Sequence, residues 1–256
     1  GSAAPVFGNL LNGSAIKGLR MPDGIASFRH RGETYLITAN EGDTRTDYGS
    51  VYYDEFRPAT TASPDVYSIR NGVADGSPNY RTTGSGSQTV FGSRSVSIHR
   101  TDGSVVWDSG SLLQSSAIAL GIYDDGRSDT KGVEPEMVVV GAIDNRRYAF
   151  VGTERTTSSM ISVFDISNPE NAAFVTSIKL AGSRSPEGLL FIPAAKSPGG
   201  DALLVVSNEV SNTLDILNAE LLVSQSARLN AAGSVTTAML TEASGGPDLS
   251  FHPLLT

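Results

Sequence analysis

The sequence predicts an all-β fold, a β-propeller of four-stranded antiparallel blades with about four blades in this chain. Three observations predict it. A short phrase repeats three times, most apolar runs are short and rich in β-branched or aromatic residues, and helical periodicity is scarce. Because about four blades is the lower limit of closed propellers, we expect a small propeller or part of a larger one.

The repeated phrase is a proline, an acid, two apolar runs joined by a turn, and then a glutamate. Its copies begin at Pro22, Pro135 and Pro186, and the acid-to-glutamate spacing is 18, 18 and 22 residues. The third copy carries an inserted turn at residues 193–200. Internal repetition predicts the architecture, because equivalent residues then occupy equivalent places in successive units.

Residues 134–180 predict one complete four-stranded unit. Two hairpin turns, at residues 142–147 and 168–171, join runs in which apolar and polar residues alternate. Such alternation is typical of antiparallel strands with one buried face. The unit has about the 40 to 50 residues of a propeller blade.

The predicted organisation has three parts. Residues 1–20 form a lead-in whose residues 1–2 match an expression-tag remnant. Residues 21–218 form the blades, with a long loop insert around residues 43–88 that is rich in Gly, Ser, Thr, Asp and Pro. Residues 219–256 form a C-terminal segment that is helical in part, at 219–230, and ends in a loosely ordered tail.

Composition excludes several classes of function. The net charge of −8 is spread along the chain, which argues against a nucleic-acid partner. The absence of cysteine excludes disulfides, zinc–thiolate sites and thiol nucleophiles. No apolar run is long enough to predict a membrane span. Phosphate loops and dinucleotide fingerprints are missing, so no organic cofactor is expected.

The repeat predicts two sets of carboxylates that converge on the propeller channel. Acids after the prolines form one set and the closing glutamates form the other: Asp23, Glu136 and Glu187, then Glu41, Glu154 and Glu209. Clustered carboxylates repel one another unless a cation or an arginine neutralises them. Oxygen ligands of this kind suit calcium or another divalent cation. Two alternatives stay open: the acids fix the geometry between blades, or they serve catalysis.

Two loops rich in Asp and Gly are secondary cation candidates, one with Asp43 and Asp47 and the other with Asp124 and Asp129. Neither loop has the spacing of a helix–loop–helix calcium site. The alternative for each loop is that the Asp side chains cap turns.

Three arginines are candidates for binding an anionic ligand: Arg45, Arg155 and Arg184. Arg155 and Arg184 lie beside the repeated glutamates in the sequence. The alternative, which we favour, is that these two neutralise the glutamates.

Several motifs resemble one known family. They are residues 38–43, residues 128–136, Tyr148–Arg155 and Ser185–Leu189. They resemble the choice-of-anchor I proteins, which are bacterial exported or surface-attached β-propellers distantly similar to esterase-like and phytase-like propellers. The resemblance runs from about Met21 to Leu217 and matches the later part of the family's propeller.

The resemblance implies an extracellular, cell-surface or periplasmic protein. It also implies self-association or pairing with a missing propeller half. We therefore expect a binding or structural module stabilised by a divalent cation, with an unknown ligand. The alternative is a metal-dependent phosphoesterase or esterase of the phytase-like type, and the question of enzymatic activity stays open.

Overall fold

The structure is a computed structural model that describes residues 17–43, 55–56, 68–69, 89–127 and 131–230. The strands in chain order are β1 (Lys17–Leu19), β2 (Ile25–His30), β3 (Glu33–Ala39), β4 (Glu55–Phe56), β5 (Ser68–Ile69), β6 (Thr89–Phe91), β7 (Val96–Arg100), β8 (Val105–Asp108), β9 (Pro135–Ile143), β10 (Arg146–Thr153), β11 (Ser159–Asp165), β12 (Ala173–Leu180), β13 (Pro186–Ile192), β14 (Leu203–Asn208) and β15 (Thr213–Asn218). The helices are α1 (Leu112–Ala119) and α2 (Ala219–Asn230), with 3-10 turns at Asp125–Arg127, Pro169–Asn171 and Ala194–Lys196.

Three antiparallel sheets carry the fold. The first sheet has the order β2-β3-β7-β8, the second β9-β10-β11-β12 and the third β13-β14-β15. The remaining strands form two small pairs, β1 with β6 and β4 with β5. The predicted all-β class is confirmed, and the second sheet is the unit predicted at residues 134–180. Within the described ranges there are three sheets of this kind, where the sequence predicted about four blades.

The three sheets stack face to face through their first strands, with β9 lying against β2 on one side and β13 on the other. Val151 belongs to the core between the first and second sheets, together with Ile37 and Ile98. Its neighbour Phe150 belongs to the core between the second and third sheets, together with Leu204. Successive strand residues point to opposite faces, so a sheet covered on both sides needs nearly continuous apolar strands.

The two helices close the edges of these cores. α2 occupies the range in which the sequence predicts a helix, and it buries Leu222 and Val223 against the second core. α1 was not predicted, because eight residues show too little periodicity to distinguish a helix from a loop. Leu113 and Ala117, one turn apart, pack into the first core and hold this short helix in place.

Gly24, in the first copy of the repeated phrase, allows the first and second sheets to touch backbone to backbone. A Cβ atom built on Gly24 would lie 2.6 Å from the Glu136 carbonyl oxygen and 2.8 Å from the Met137 Cα. Neither atom belongs to a flexible side chain. The close approach of the two sheets at this end therefore requires glycine.

We predict that Gly24→Ala destabilises the protein by about 1–3 kcal/mol, because the added methyl group forces the two backbones apart. Urea unfolding followed by circular dichroism measures the change. Gly199→Ala is the matched control, because its Cβ would meet nothing within 4 Å. Equal stabilities of the two variants would contradict the close contact.

Candidate functional site

The residue before each repeated proline has left-handed backbone. The φ angles are +42° at Met21, +48° at Glu134 and +58° at Ser185. Such angles are uncommon for residues other than glycine, so three equivalent cases mark a feature that the repeat maintains. In each sheet this turn introduces the first strand.

The carbonyl of the left-handed residue receives a hydrogen bond from the end of the neighbouring strand. The Glu154 amide donates to the Glu134 carbonyl at 2.9 Å, and the Glu209 amide donates to the Ser185 carbonyl at 2.8 Å. In the first sheet the donor is one residue later, since the Gly42 amide reaches Met21 at 3.0 Å. This bond brings each closing glutamate beside the proline and acid of its own sheet.

Seven carboxylates consequently form a continuous array across the three sheets, which we call the acidic row. It contains three groups, and within each group one oxygen from every member lies within 4.8 Å of the others. The first group is Asp23, Glu41 and Glu136; the middle group is Glu41, Glu134 and Glu154; the last group is Glu154, Glu187 and Glu209. All six acids predicted from the repeat are in the row. The predicted division into two separate sets is not observed, because every group mixes acids from adjacent sheets or strands.

Glu136 is the most perturbed member of the first group. The residue is only 9% exposed, and its Oε2 has no hydrogen-bond partner among the described residues. Burial raises the pKa of Glu136 to about 9, with further contributions from the charge of Glu41 and from a hydrogen bond with Asp23. A hydrogen bond between two carboxyl groups requires a proton, so this pair is stable only when protonated or when a cation replaces the proton.

Glu41 links the first group to the middle group. Burial raises the pKa of Glu41 to about 7, although Lys131 acts in the opposite direction. The Lys131 Nζ lies 3.4 Å from Glu41 and 2.6 Å from Asp43. Burial lowers the pKa of Lys131, but its contacts with Asp43, Glu134 and Glu41 outweigh burial and raise it. Lys131 therefore stays charged.

The middle group is balanced by basic side chains around Glu134, which is 1% exposed. Arg127 forms an ion pair with one carboxylate oxygen. The other oxygen lies 3.4 Å from the Lys131 Nζ and 3.8 Å from the Arg155 Nε. Three carboxylates and three bases thus meet in this group.

Sequence reasoning did not identify Glu134 or Lys131 as site residues. A signal for Glu134 was present, because only the second copy of the repeat has an acid on both sides of its proline. Lys131 is not part of the repeated phrase, and although it stands three residues before Glu134, nothing in the sequence places it beside Glu41 and Asp43.

The last group opens to solvent. Glu154 is buried, whereas Glu187 and Glu209 are exposed. Burial raises the pKa of Glu154 to about 7, against the effect of Arg155, whose guanidinium lies 2.9 Å away. Burial also raises the pKa of Glu187, and the charge and hydrogen bond of Glu209 add to it. Arg155 therefore lies beside Glu154 and Glu134 as their ion-pair partner.

The other predicted candidates are not members of the three carboxylate groups or lie outside the described residues. Asp43 is exposed and bound to Lys131. Asp124 accepts a hydrogen bond from the Gly126 amide at 2.9 Å, which is a turn-capping contact. Arg184 is exposed, and its amide donates to the Ser211 hydroxyl. Arg45, Asp47 and Asp129 lie outside the described residues.

A polar cavity of about 420 Å³ lies at the opposite end of the first sheet and includes no member of the acidic row. Glu33 and Glu170 line it, and Arg100 forms ion pairs with both. The Arg100 guanidinium also stacks over the Tyr35 ring, 5.6 Å from its centre. These contacts neutralise the charges of the cavity internally, so the acidic row is the stronger candidate site.

Comparison with known protein families matches residues 8–169 to the Choice-of-anchor I domain. The chain belongs to this family. The match spans the first sheet and most of the second, while the third sheet lies beyond it. No curated protein matches the chain significantly.

Membership of the Choice-of-anchor I family suggests a surface-associated β domain, and its name suggests a cell-surface or exported protein. Within the ranges that the structure describes, no helix has the length and hydrophobicity needed to cross a membrane.

We predict that Glu134→Gln destabilises the protein by about 3 kcal/mol, because it leaves three basic side chains around two carboxylates in a buried setting. Glu187→Gln, at an exposed acid of the same row, is the control and should change stability by less than about 0.5 kcal/mol. Chemical denaturation of both variants measures the difference. A smaller loss for Glu134→Gln than for Glu187→Gln would contradict the balanced middle group.

We also predict that the cation-free protein loses stability as the pH rises. A glutamate has a pKa of about 4.3 when unfolded. In the folded protein burial raises the pKa to about 7 at Glu41 and Glu154, and to about 9 at Glu136. Protonation therefore favours the folded state, and this contribution is lost as the pH rises through the folded values.

Thermal unfolding in a chelator, measured from about pH 5 to about pH 9, should show a falling midpoint. Glu136→Gln should flatten the curve above about pH 7, since only Glu136 titrates there among the three. A midpoint that rises over this range would refute the prediction.

Proposed function

We propose that this protein is an exported or cell-surface β module with a binding or structural role, and that a divalent cation held by the first group joins its first and second sheets. The observation that carries the proposal is the buried Oε2 of Glu136, which lacks a hydrogen-bond partner among the described residues. This carboxyl group belongs to the first group, with Asp23 and Glu41. A buried carboxylate oxygen without a partner is costly, and a cation would satisfy it.

The distribution of basic residues favours the first group over the other two. The middle group is neutralised by Arg127, Lys131 and Arg155. In the last group Arg155 pairs with Glu154. In the first group Lys131 contacts Glu41, but no ion pair involving Glu136 is found in the described part of the chain. Among the described residues, Glu136 is therefore the buried carboxyl group of the row that has no basic partner.

Calcium is the favoured ion because of the ligands that the first group offers. Ligand oxygens lie about 2.4 Å from calcium, so two ligands of one ion are at most about 4.8 Å apart. The oxygens of the first group lie within this limit. Calcium also accepts carboxylates in a flexible geometry, whereas magnesium demands a near-ideal octahedron and usually keeps several waters.

The alternative activity, metal-dependent hydrolysis of phosphate or carboxyl esters, stays a prediction. If the protein is such a hydrolase, it should turn over these esters in the presence of calcium. Glu136→Gln should then abolish turnover while the protein stays folded. A binding or structural module requires no turnover. Colorimetric assays with nitrophenyl phosphate and nitrophenyl acetate distinguish the two functions.

We predict that calcium raises the thermal unfolding midpoint of the protein in a concentration-dependent manner, with a smaller effect of magnesium at equal concentration. A ligand that binds only the folded state at about 100 times its Kd adds about 2.7 kcal/mol of stability. Differential scanning calorimetry in calcium, magnesium and chelator measures the shift, and isothermal titration calorimetry gives the stoichiometry.

Two variants locate the ion. Glu136→Gln should abolish the calcium-dependent shift, because it removes a charged ligand of the first group. Glu209→Gln, in the last group, should retain it. No calcium-dependent shift in the unmodified protein, or a shift lost only in Glu209→Gln, would refute a site in the first group.

A further inference from the structure

The polar cavity lies where the first and second sheets meet, at the end opposite to the acidic row. On the first sheet its walls are the hairpin turn between β2 and β3, at residues 30–33, and Arg100 at the end of β7. On the second sheet the wall is the turn at residues 168–170. Its volume of about 420 Å³ falls in the range of small-molecule sites. The cavity is therefore a candidate binding site separate from the proposed cation site.

Both walls are held in place by contacts within the fold. The hairpin turn has φ of +49° at Arg31 and +89° at Gly32, as the tightest hairpin turns require. The Arg29 guanidinium donates a hydrogen bond to the Gly32 carbonyl at 2.8 Å. On the opposite wall the Asn168 side chain accepts a hydrogen bond from the Glu170 amide at 3.3 Å. A cavity with walls fixed in advance binds a ligand at little ordering cost.

Arg100 connects the two walls. Its Nη1 donates to the Glu33 Oε2 at 3.1 Å, and its Nη2 forms an ion pair with the Glu170 Oε1. The side chains of Glu33 and Glu170 are 65% and 58% exposed, so both carboxylates face solvent. Each uses one oxygen for Arg100, and no hydrogen bond to its second oxygen is found in the described part of the chain. These second oxygens are acceptors that a ligand can reach.

The charges around the cavity cancel, which disfavours a charged ligand. Two glutamates, Glu33 and Glu170, face two arginines, Arg31 and Arg100. A charged ligand would lose hydration without a net charge to attract it. An apolar ligand is disfavoured as well, because Tyr35 is only 3% exposed and the Arg100 guanidinium covers its ring. The lining therefore suits an uncharged ligand with many hydrogen-bonding groups.

We propose that this cavity binds a neutral sugar. Neighbouring hydroxyls of a sugar ring donate hydrogen bonds to a carboxylate and accept them from guanidinium or amide groups. Glu33 and Glu170 provide the acceptors, and Arg31 and Asn168 provide the donors. The volume accommodates about one or two sugar units. The inference goes beyond the binding role proposed above by naming a ligand class and a second site, and it does not depend on the cation.

Saturation-transfer difference NMR tests the ligand class with free glucose, galactose, mannose, N-acetylglucosamine and their disaccharides. We expect at least one neutral sugar to bind with a Kd of about 1 mM or lower. Glucosamine and glucuronic acid carry a charge on the same ring as glucose and should bind at least about five times more weakly than the best neutral sugar. Raising the salt concentration from about 0.05 M to about 0.5 M should change that Kd less than about twofold, because no net charge contributes.

Two exposed carboxylates provide variants that locate the site. Glu33→Gln and Glu170→Gln each replace a charged acceptor by an amide and should weaken sugar binding about tenfold. Loss of an exposed ion pair has little effect on folding, and circular dichroism verifies it. Asp201→Asn is the matched control, with binding unchanged. Asp201 is an exposed acid after β13 that accepts a hydrogen bond from Asn218, outside the cavity.

Histidine modification gives a second measurement on the unmodified sequence. His30 lines the cavity and is half-buried, and His99 is half-buried outside it. Diethyl pyrocarbonate labelling followed by mass spectrometry reports the accessibility of each ring. The best neutral sugar should slow labelling of His30 and leave His99 unchanged.

Three results would overturn the proposal. One is the absence of binding by every neutral sugar at concentrations up to about 10 mM. Another is tighter binding of glucosamine, glucuronic acid or zwitterionic glycine, which would assign the cavity to a charged ligand. The last is sugar binding that persists in both glutamine variants or leaves His30 unprotected, which would place the sugar elsewhere. None of these results bears on the calcium-dependent shift, so the two proposals fail separately.

Discussion

The hydrogen bond between the left-handed residue before each proline and the end of the adjacent strand is the contact on which the arrangement depends. It fixes where the first strand of a sheet begins relative to where the second strand ends, as with Glu134 and Glu154. The acid follows the proline directly, and the amide is donated by the closing glutamate or, in the first sheet, by Gly42 directly after it. The bond therefore places two carboxylates at one end of the sheet. Stacking of the sheets then extends each pair into the acidic row.

This geometry brings carboxylates close enough to repel one another. Basic side chains neutralise the middle group, but they do not neutralise Glu136 in the first group. Arg127, Lys131 and Arg155 surround Glu134, so a fully buried carboxylate is neutralised within the fold. Glu136 has no basic partner among the described residues, and burial raises its pKa to about 9. Protons and a divalent cation are then alternative ways of stabilising the same oxygens, which connects the proposed site to the pH dependence of folding.

The sequence predicted the elements of the site better than their assembly. The repeat identified six acids of the row and the second sheet, because repetition and period-2 alternation are local properties of the chain. It could not show that the glutamate of one sheet meets the proline-linked acid of the next, since that contact arises only when sheets stack. Lys131 was missed for the same reason: it reaches Glu41 across 90 positions of the chain. α1 was missed because tertiary packing of Leu113 stabilises it, and propensity does not.

The contact between the first and second sheets has an acidic end, at Asp23 and Glu136. The packing there explains why the proposed cation would bind at this end. Apolar side chains hold the sheets together along most of each junction. Beside Glu136 the backbones approach so closely that only Gly24 fits, and no side chain remains to bury. Cohesion at that end has to come from polar contacts, yet the nearest side chains are carboxylates that repel one another. An ion bound between Asp23 and Glu136 would replace repulsion with attraction at a place where hydrophobic packing is geometrically excluded.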